Sequence, residues 1–550
     1  MKNVELNNKA AERTWSGYEK LVCVIVFILA VIVAAWLRFN QIGIKPFHHD
    51  EGVNSHFLLN LANSGEYKYN PENYHGPSLY YFALVALRVF GSNDFALRFT
   101  PALFGILTVL MVWLLREHIG SVGTPVAAFL MALSPGLVYF SRDFIHEMSF
   151  GCFSLGIVVG AWRYAESKNF AWLALMATSA GLLFATKETA IITAVVMIIA
   201  ALCATGWEVT QRLMQRGEVT PAAFAREFKR DCLGVAPSLD HALAAGMIFV
   251  FINVIFYASF FAPQKYPDGT EHIHWSGIAD AVKSVALWTG RSSGEHVKDF
   301  WYYIGILYKL ELPLFIGSLL AGVFIMRRWT RFWLFVGAWA LGITLAYSII
   351  GYKTPWLALS FLIPMALLSG HAAQRVYGAA QLISLRLLLA ATLVTVLIFN
   401  IRLAWAVNFD KYDDNDNRSG YGVYVGRSLS LKPYREGEGL YGYVYAQTDR
   451  DIFQLAQAVK SEADKRSHYD TPILVSSPEY WPLPWYLRDY KYAAFSGAMP
   501  ADGPSQITQP IVIAHANQQS LLAGLPGWRA LPQSFTLRPG VELVVYVRDN

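Results

Sequence analysis

Charge is what this chain has least of. Only 15% of its 550 residues are Asp, Glu, Lys or Arg, whereas 54% are hydrophobic; a soluble protein usually carries about a quarter charged residues. That balance excludes an ordinary soluble globular protein. Cysteine is also scarce: there are four, Cys23, Cys152, Cys203 and Cys232. With none beyond Cys232, no disulfide framework holds the C-terminal region, and no CxxC or Cys/His zinc spacing occurs. The net charge of +5 is spread over loops. Without a basic stripe interleaved with aromatics, nucleic acid is not a partner. P-loop, GxSxG and HExxH motifs are absent. So is an internal repeat, which argues against an inverted-repeat transporter.

What is present is a series of long apolar runs. Helical spans are expected near 20–39, 99–115, 122–140, 148–163, 170–186, 189–207, 240–261, 312–326, 332–350, 355–372 and 386–407, about eleven in all. The residues before the first run are polar and no small-residue cleavage site follows it, so this run reads as a retained span rather than a removed signal peptide. With the N-terminus in the cytoplasm, the cations Arg116, Arg163, Lys168, Arg212 to Arg230, Arg327, Arg328, Arg331, Arg375 and Arg386 all fall on the inner side, as the positive-inside rule demands. The first outer loop, about 40–98, contains two candidate amphipathic helices, Gly52 to Ser64 and Ser78 to Phe90. A second outer loop, about 262–311, contains His272, His274 and Arg291.

After the last span the composition changes. Residues 408–439, rich in Asp, Asn, Gly, Arg and Tyr, read as a linker. Residues 440–550 read as a small α/β domain with a helix over Asp449 to Lys465 and strands at Ile473–Ser476, Ile511–Ala514 and Val541–Val547. The fold class is therefore a polytopic α-helical membrane module, residues 1–407, with a C-terminal extracytoplasmic α/β domain. The run Asp413-Asp414-Asn415-Asp416-Asn417 has the flavour of a calcium loop. It lacks the required Gly, where Arg418 stands, and the final Glu, where Tyr424 stands; it reads as a solvated linker.

Against so little charge, clusters stand out. His48-His49-Asp50-Glu51 follows the first span. An acid there can take the proton of an attacking hydroxyl, although an acidic helix start would explain Asp50-Glu51 alone. Arg142-Asp143 and His146-Glu147 lie at the outer end of the third span, with i,i+4 spacing that aligns Arg142 with His146 and Asp143 with Glu147. Lys187-Glu188 interrupts two apolar stretches, and Lys353 precedes Pro355, which can start a helix. The topology puts all of these on one membrane face. Arg142, Lys187 and Lys353 are the cations that could hold a phosphate. Asp143, His146, Glu147 and Glu188 could serve the acceptor or a metal. Whether a divalent ion (Mg, Mn or Zn) is needed stays open; His48, His49, Asp50 and Glu147 would be its ligands.

In combination these segments resemble a known family. "HHDE", "GPSLYYFAL…FGSNDFALRFTPAL", "SPGLVYFSRDFIHEM", "TKET", "YKTPW" and "WPLPWYLR" (Trp481 to Arg488) are similar to segments of the C-type (GT-C) glycosyltransferases. The likeness is to the protein-mannosyltransferase and aminoarabinose-transferase branch, and especially to its bacterial and archaeal flippase-activity-associated members. The resemblance implies a GT-C-like fold in a bacterial or archaeal plasma membrane. It implies inverting transfer from a polyprenyl-phosphate-linked sugar donor to an extracytoplasmic protein, lipid or glycan. It implies Asp50 as the catalytic acid with Glu51 beside it, Glu147 as a second acid, and His75 at the place of a phosphate-binding lysine. Two other classes remain. A lipid-linked sugar flippase or its accessory would bind the same head group without cleaving it, yet Asn253 is the clearest polar residue deep in a span. A structural subunit of a cell-envelope complex would not need the acids.

The topology has a direct check. In a cysteine-free background, Ser461→Cys in the C-terminal domain should react with a membrane-impermeant thiol reagent added outside intact cells. Labelling only after permeabilisation would reverse the orientation.

Overall fold

The structure is a computed structural model that describes residues 17–72, 75–266, 268–290, 297–409, 443, 447–523, 526–538 and 540–549. Of the linker expected at 408–439, Asn408 and Phe409 end the helix Ile383–Phe409, and 410–439, with the acidic run Asp413 to Asn417, lie outside these residues, as does Arg291. Each apolar stretch of the sequence contains a helix, from Gly17–Phe39 to Ile383–Phe409. Length and composition qualify fewer of them than the eleven expected. Seven described helices are long and apolar enough to cross a membrane, or up to eight if the pair Tyr302–Leu310 and Leu312–Arg327, bent by 106°, is one span. The stretch 122–140 shows why. Ser134 accepts a hydrogen bond from the Leu137 amide and Pro135 starts a new helix, so Gly123–Leu133 ends after 11 residues. Phe170–Phe184 is likewise short, at 15 residues.

The buried centre of the bundle is the helix Leu359–Ala379, whose residues 359–372 are all buried. It packs against Gly123–Leu133 and Leu312–Arg327. At the first crossing the backbones nearly touch: a Cβ on Gly370 would sit 2.6 Å from the Gly123 carbonyl oxygen. Small residues permit such approaches where lipid gives no hydrophobic drive between helices. The outermost helices show the opposite surface. Leu239–Tyr257 exposes Leu243, Met247, Val250 and Phe251, an arrangement stable in lipid and not in water. The molecule is an integral membrane protein.

In the first outer loop, helices His49–Ser64 and Ser78–Phe90 form where amphipathic segments are expected. The C-terminal domain is a five-stranded sheet in the order Ala493–Phe495, Ile473–Val475, Ile511–His515, Val541–Arg548 and Trp528–Arg538. The first three strands are parallel and the last two join antiparallel. Helix Asp451–Asp464 buries Ile452, Leu455 and Val459 in the same core as Ile473, Ile511 and Val545. Two strands have no clear trace in the sequence. Ala493–Phe495 is three residues long. In Trp528–Arg538 the pairing shifts between Ala530 and Ser534, around Pro532, which has no amide hydrogen to give a ladder.

The sheet domain docks on the loop after the first span through the segment 481–488. Trp485 stacks on Phe47 with ring centroids 5.0 Å apart and donates its indole N–H to Asp94 Oδ1 at 2.8 Å. Arg488 donates to the Ser92 carbonyl at 2.9 Å, and the Phe47 amide donates to the Tyr486 hydroxyl at 2.8 Å. Both parts of the chain therefore meet at the turn that carries His48 to Glu51.

Candidate functional site

The site begins as a helix N-terminus. His48 caps helix His49–Ser64: its Nδ1 accepts from the Asp50 amide at 3.2 Å, and the Glu51 carboxylate accepts from the His48 amide at 2.9 Å. Glu51, expected beside the catalytic acid as a second catalytic group, is instead buried. Arg98 grips it with two hydrogen bonds of 2.7 Å, and the Phe144 amide adds one of 2.8 Å. Burial would raise the Glu51 pKa, but the charge and hydrogen bonds of Arg98 and the two amides hold it below the ordinary glutamate value. The other donors of Arg98 reach the carbonyls of Ile42, Lys45 and Pro46. Glu51 is thus a strut between three segments.

The remaining acids are also engaged. Asp143 pairs with Lys45 at 3.2 Å, and Lys45 lies over the Tyr139 ring at 3.4 Å. Burial pushes the Asp143 carboxyl up and brings Lys45 down to about 8. Glu147 forms a buried ion pair with Lys187. Glu188 accepts from His75 Nδ1 at 2.8 Å and from the Tyr69 hydroxyl at 3.3 Å. His146 lies with Nε2 3.0 Å from the Gly76 carbonyl and its ring edge-on to His75 at 5.4 Å. The segments of His75 and Lys187 are zipped together: the Gly76 amide donates to Thr186 O at 3.0 Å and the Ser78 amide to Ala185 O at 3.1 Å. Position 76 must be glycine, because a Cβ there would fall 2.3 Å from the Ala185 oxygen.

Asp50 differs from all of these. Its carboxylate is half-buried, and no hydrogen bond or ion pair engages it among the described residues. An acid in that state can accept a proton without first breaking a bond.

The expected phosphate-binding cations divide. Arg142 is buried and spent on the end of the first span: it donates to the carbonyls of Leu37, Asn40 and Gln41 at 2.7–2.8 Å and lies over the Phe409 ring. A cation is favourable at a helix C-terminus, and this corrects its reading as a donor ligand. Lys187 is cancelled by Glu147. Lys353 donates to the Ile350 carbonyl at 2.5 Å and to the Lys298 carbonyl at 3.1 Å. Carbonyl oxygens satisfy the ammonium hydrogens but leave its charge standing. Its segment approaches the acid-bearing turn, with the Trp356 ring 6.4 Å from that of His48. The candidate metal ligands do not form one shell. Glu147 is paired with Lys187, and no group of three or more His, Cys, Asp or Glu suited to a metal occurs among the described residues. Sequence reasoning missed Arg98 and Lys45. Arg98 is the lone cation at the mouth of an apolar run, a signal that was available.

The comparisons bear on this arrangement. Residues 74–218 match the family model described as dolichyl-phosphate-mannose-protein mannosyltransferase, a stretch that includes His75, Glu147 and Lys187. ArnT from Cupriavidus metallidurans in the apo state superposes with a TM-score of 0.59 at 14% identity, covering 95% of this chain and 97% of that one; ArnT bound to undecaprenyl phosphate gives 0.56. The archaeal oligosaccharyltransferase AglB from Archaeoglobus fulgidus, in complex with an inhibitory peptide and a dolichol-phosphate, gives 0.54 at 13% identity over 92% of this chain and 70% of that one. An uncharacterised protein of Aquifex aeolicus is 30% identical over 167 residues, and the match spans about a third of its length, 34%, and 28% of this chain. The fold is shared with these solved structures.

The Glu51–Arg98 pair gives a test with a defined sign. Removing one partner of a buried ion pair costs about 3–5 kcal/mol, so Glu51→Gln should lower the melting midpoint in detergent. Because the folded pKa lies below the unfolded value of about 4.3, this contribution is complete above that value and fades as pH falls through the folded one. The gap in melting temperature between wild type and Glu51→Gln should therefore close on acidification. A gap that is absent at neutral pH would remove the strut.

Proposed function

We propose that this chain, a glycosyltransferase by fold, transfers a sugar from a polyprenyl-phosphate-linked donor to a hydroxyl acceptor on the extracytoplasmic side, with inversion. Asp50 is the general base. The observation that carries this reading is the contrast among the acids: Glu51, Asp143, Glu147 and Glu188 are buried and bonded, and Asp50 is half-exposed and unengaged among the described residues.

The chemistry is a single displacement. The Asp50 carboxylate takes the proton of the acceptor hydroxyl as its oxygen attacks the anomeric carbon. The bond from that carbon to the phosphate oxygen breaks on the opposite face, and the lipid phosphate leaves with the electron pair. One displacement inverts the anomeric centre, and a single base suffices. The leaving phosphate gains charge, so a nearby cation lowers the barrier. Lys353 is suited to this, because its hydrogen bonds go to carbonyl oxygens, which a phosphate can replace. A donor carried by a membrane lipid also suits a site at the mouths of spanning helices on a face without a supply of nucleotide sugars. The reading places the N-terminus in the cytoplasm and the sheet domain outside.

Asp50→Asn keeps the size of the side chain and removes its basicity. Transfer from a purified polyprenyl-phosphate sugar in detergent should fall on the order of 10²–10⁴-fold, while donor binding survives. Equal transfer by the two proteins would end the role of Asp50. Donor binding by wild type without transfer to any of a broad acceptor panel would move the assignment to head-group transport. For the leaving group, Lys353→Ala should raise the apparent KM for the donor more than it lowers the melting midpoint. An unchanged KM would remove Lys353 from the donor site.

A further inference from the structure

Two tryptophans flank the turn that carries Asp50, and they come from different parts of the chain. Trp356, from the membrane module, presents its ring to His48 at 6.4 Å. Trp481, from the sheet domain, lies against His49 at 6.2 Å and His56 at 5.8 Å. Both indoles are half-exposed. Trp481 is held firmly in place: a Cβ on Gly52 would come within 2.5 Å of Pro482 Cβ and 3.4 Å of the Trp481 ring, so the helix backbone presses directly on this segment. From Trp481 an aromatic strip continues over the sheet domain to Tyr480, 5.4 Å away, and from Tyr480 to Phe495, a further 5.5 Å; both are also half-exposed. Beside the strip stands the ion pair Glu479–Arg538, close enough to His49 to act on its charge.

Half-exposed aromatic plates bordered by imidazoles, a carboxylate and an ion pair have a specific chemical complement. A pyranose has one apolar C–H face, which stacks on an indole, and a rim of hydroxyls, which bond to imidazole, carboxylate and guanidinium. A serine or threonine side chain offers a hydroxyl and no ring to stack. We propose that the acceptor is a saccharide of more than one residue, with its reacting sugar between Trp356 and Trp481 over Asp50 and its next sugars on Tyr480 and Phe495. This rests on the reading of Asp50 as the base. It assigns the sheet domain, through Trp481, Tyr480 and Phe495, the task of holding the acceptor.

Saturation-transfer NMR on the full chain in detergent, with maltotriose, cellotriose and mannotriose as probes and an uncharged serine/threonine heptapeptide as the contrast, tests the site without turnover. Wild type should bind at least one trisaccharide and not the peptide. Trp481→Ala and Trp356→Ala should each weaken that binding about ten-fold, the loss of one stacking ring. Trp481→Phe, which keeps a ring and guards against misfolding, should retain most of it. If all three trisaccharides fail to bind, if binding is indifferent to both tryptophans in monodisperse protein, or if the peptide binds and depends on the same rings, the saccharide site is overturned. The two proposals fail separately. Tryptophan-dependent binding combined with undiminished transfer by Asp50→Asn would leave the acceptor site standing and remove the base. Loss of transfer in Asp50→Asn with saccharide binding indifferent to Trp356 and Trp481 would do the reverse.

Discussion

The ion pair between Glu51 and Arg98 organises everything around the site. Neither partner alone would be tolerated out of water, and together they are stable only because every remaining hydrogen-bonding position is also filled. Glu51 takes the amides of His48 and Phe144; Arg98 takes three carbonyls from 42–46. The pair therefore fixes the end of the first outer segment, the start of helix His49–Ser64 and the turn after Pro135–Phe140 in one geometry. Asp50 is one residue from this anchor and shows the opposite outcome, a carboxylate held in position by its backbone and left, among the described residues, without a hydrogen bond or ion pair. Rigid support next to an uncommitted acid is the arrangement a base requires.

The same economy governs the other charges. In a chain with so few, the buried acids around the site each have a partner: Lys45 for Asp143, Lys187 for Glu147, His75 for Glu188. The buried arginine Arg142 donates from both terminal nitrogens to carbonyls at the end of the first helix. A cluster that reads in the sequence as one reactive patch resolves into several structural pairs and a small reactive remainder.

How far the sequence was legible follows from this. The segments that meet at the site could be found, because Asp50, Lys187 and Lys353 interrupt apolar or aromatic surroundings where charge is costly. Their partners could not. Glu51 and Arg98 are 47 residues apart, and Glu147 and Lys187 are 40 apart, so no helical spacing links them. Arg142 was misread because its acceptors are backbone carbonyls, which leave no trace in side-chain identity. The helices were legible from hydrophobic length, whereas the number that qualify as spans was not, since Ser134-Pro135 divides one apolar run. In the sheet domain, the regular strands Ile511–His515 and Val541–Arg548 announced themselves. Trp528–Arg538 did not, as Pro532 disrupts its alternation.

The docking of Trp485 onto Phe47 and Asp94 has a consequence for biogenesis. The ribosome delivers His48 to Glu51 and the helices around them hundreds of residues before it delivers the segment 481–488. Until that segment has been made and has folded onto the loop after the first span, the membrane module carries the acid-bearing turn without this wall. A nascent chain is thus incomplete at the turn, and completion of this face is timed by folding of the late-made domain rather than by insertion of the helices.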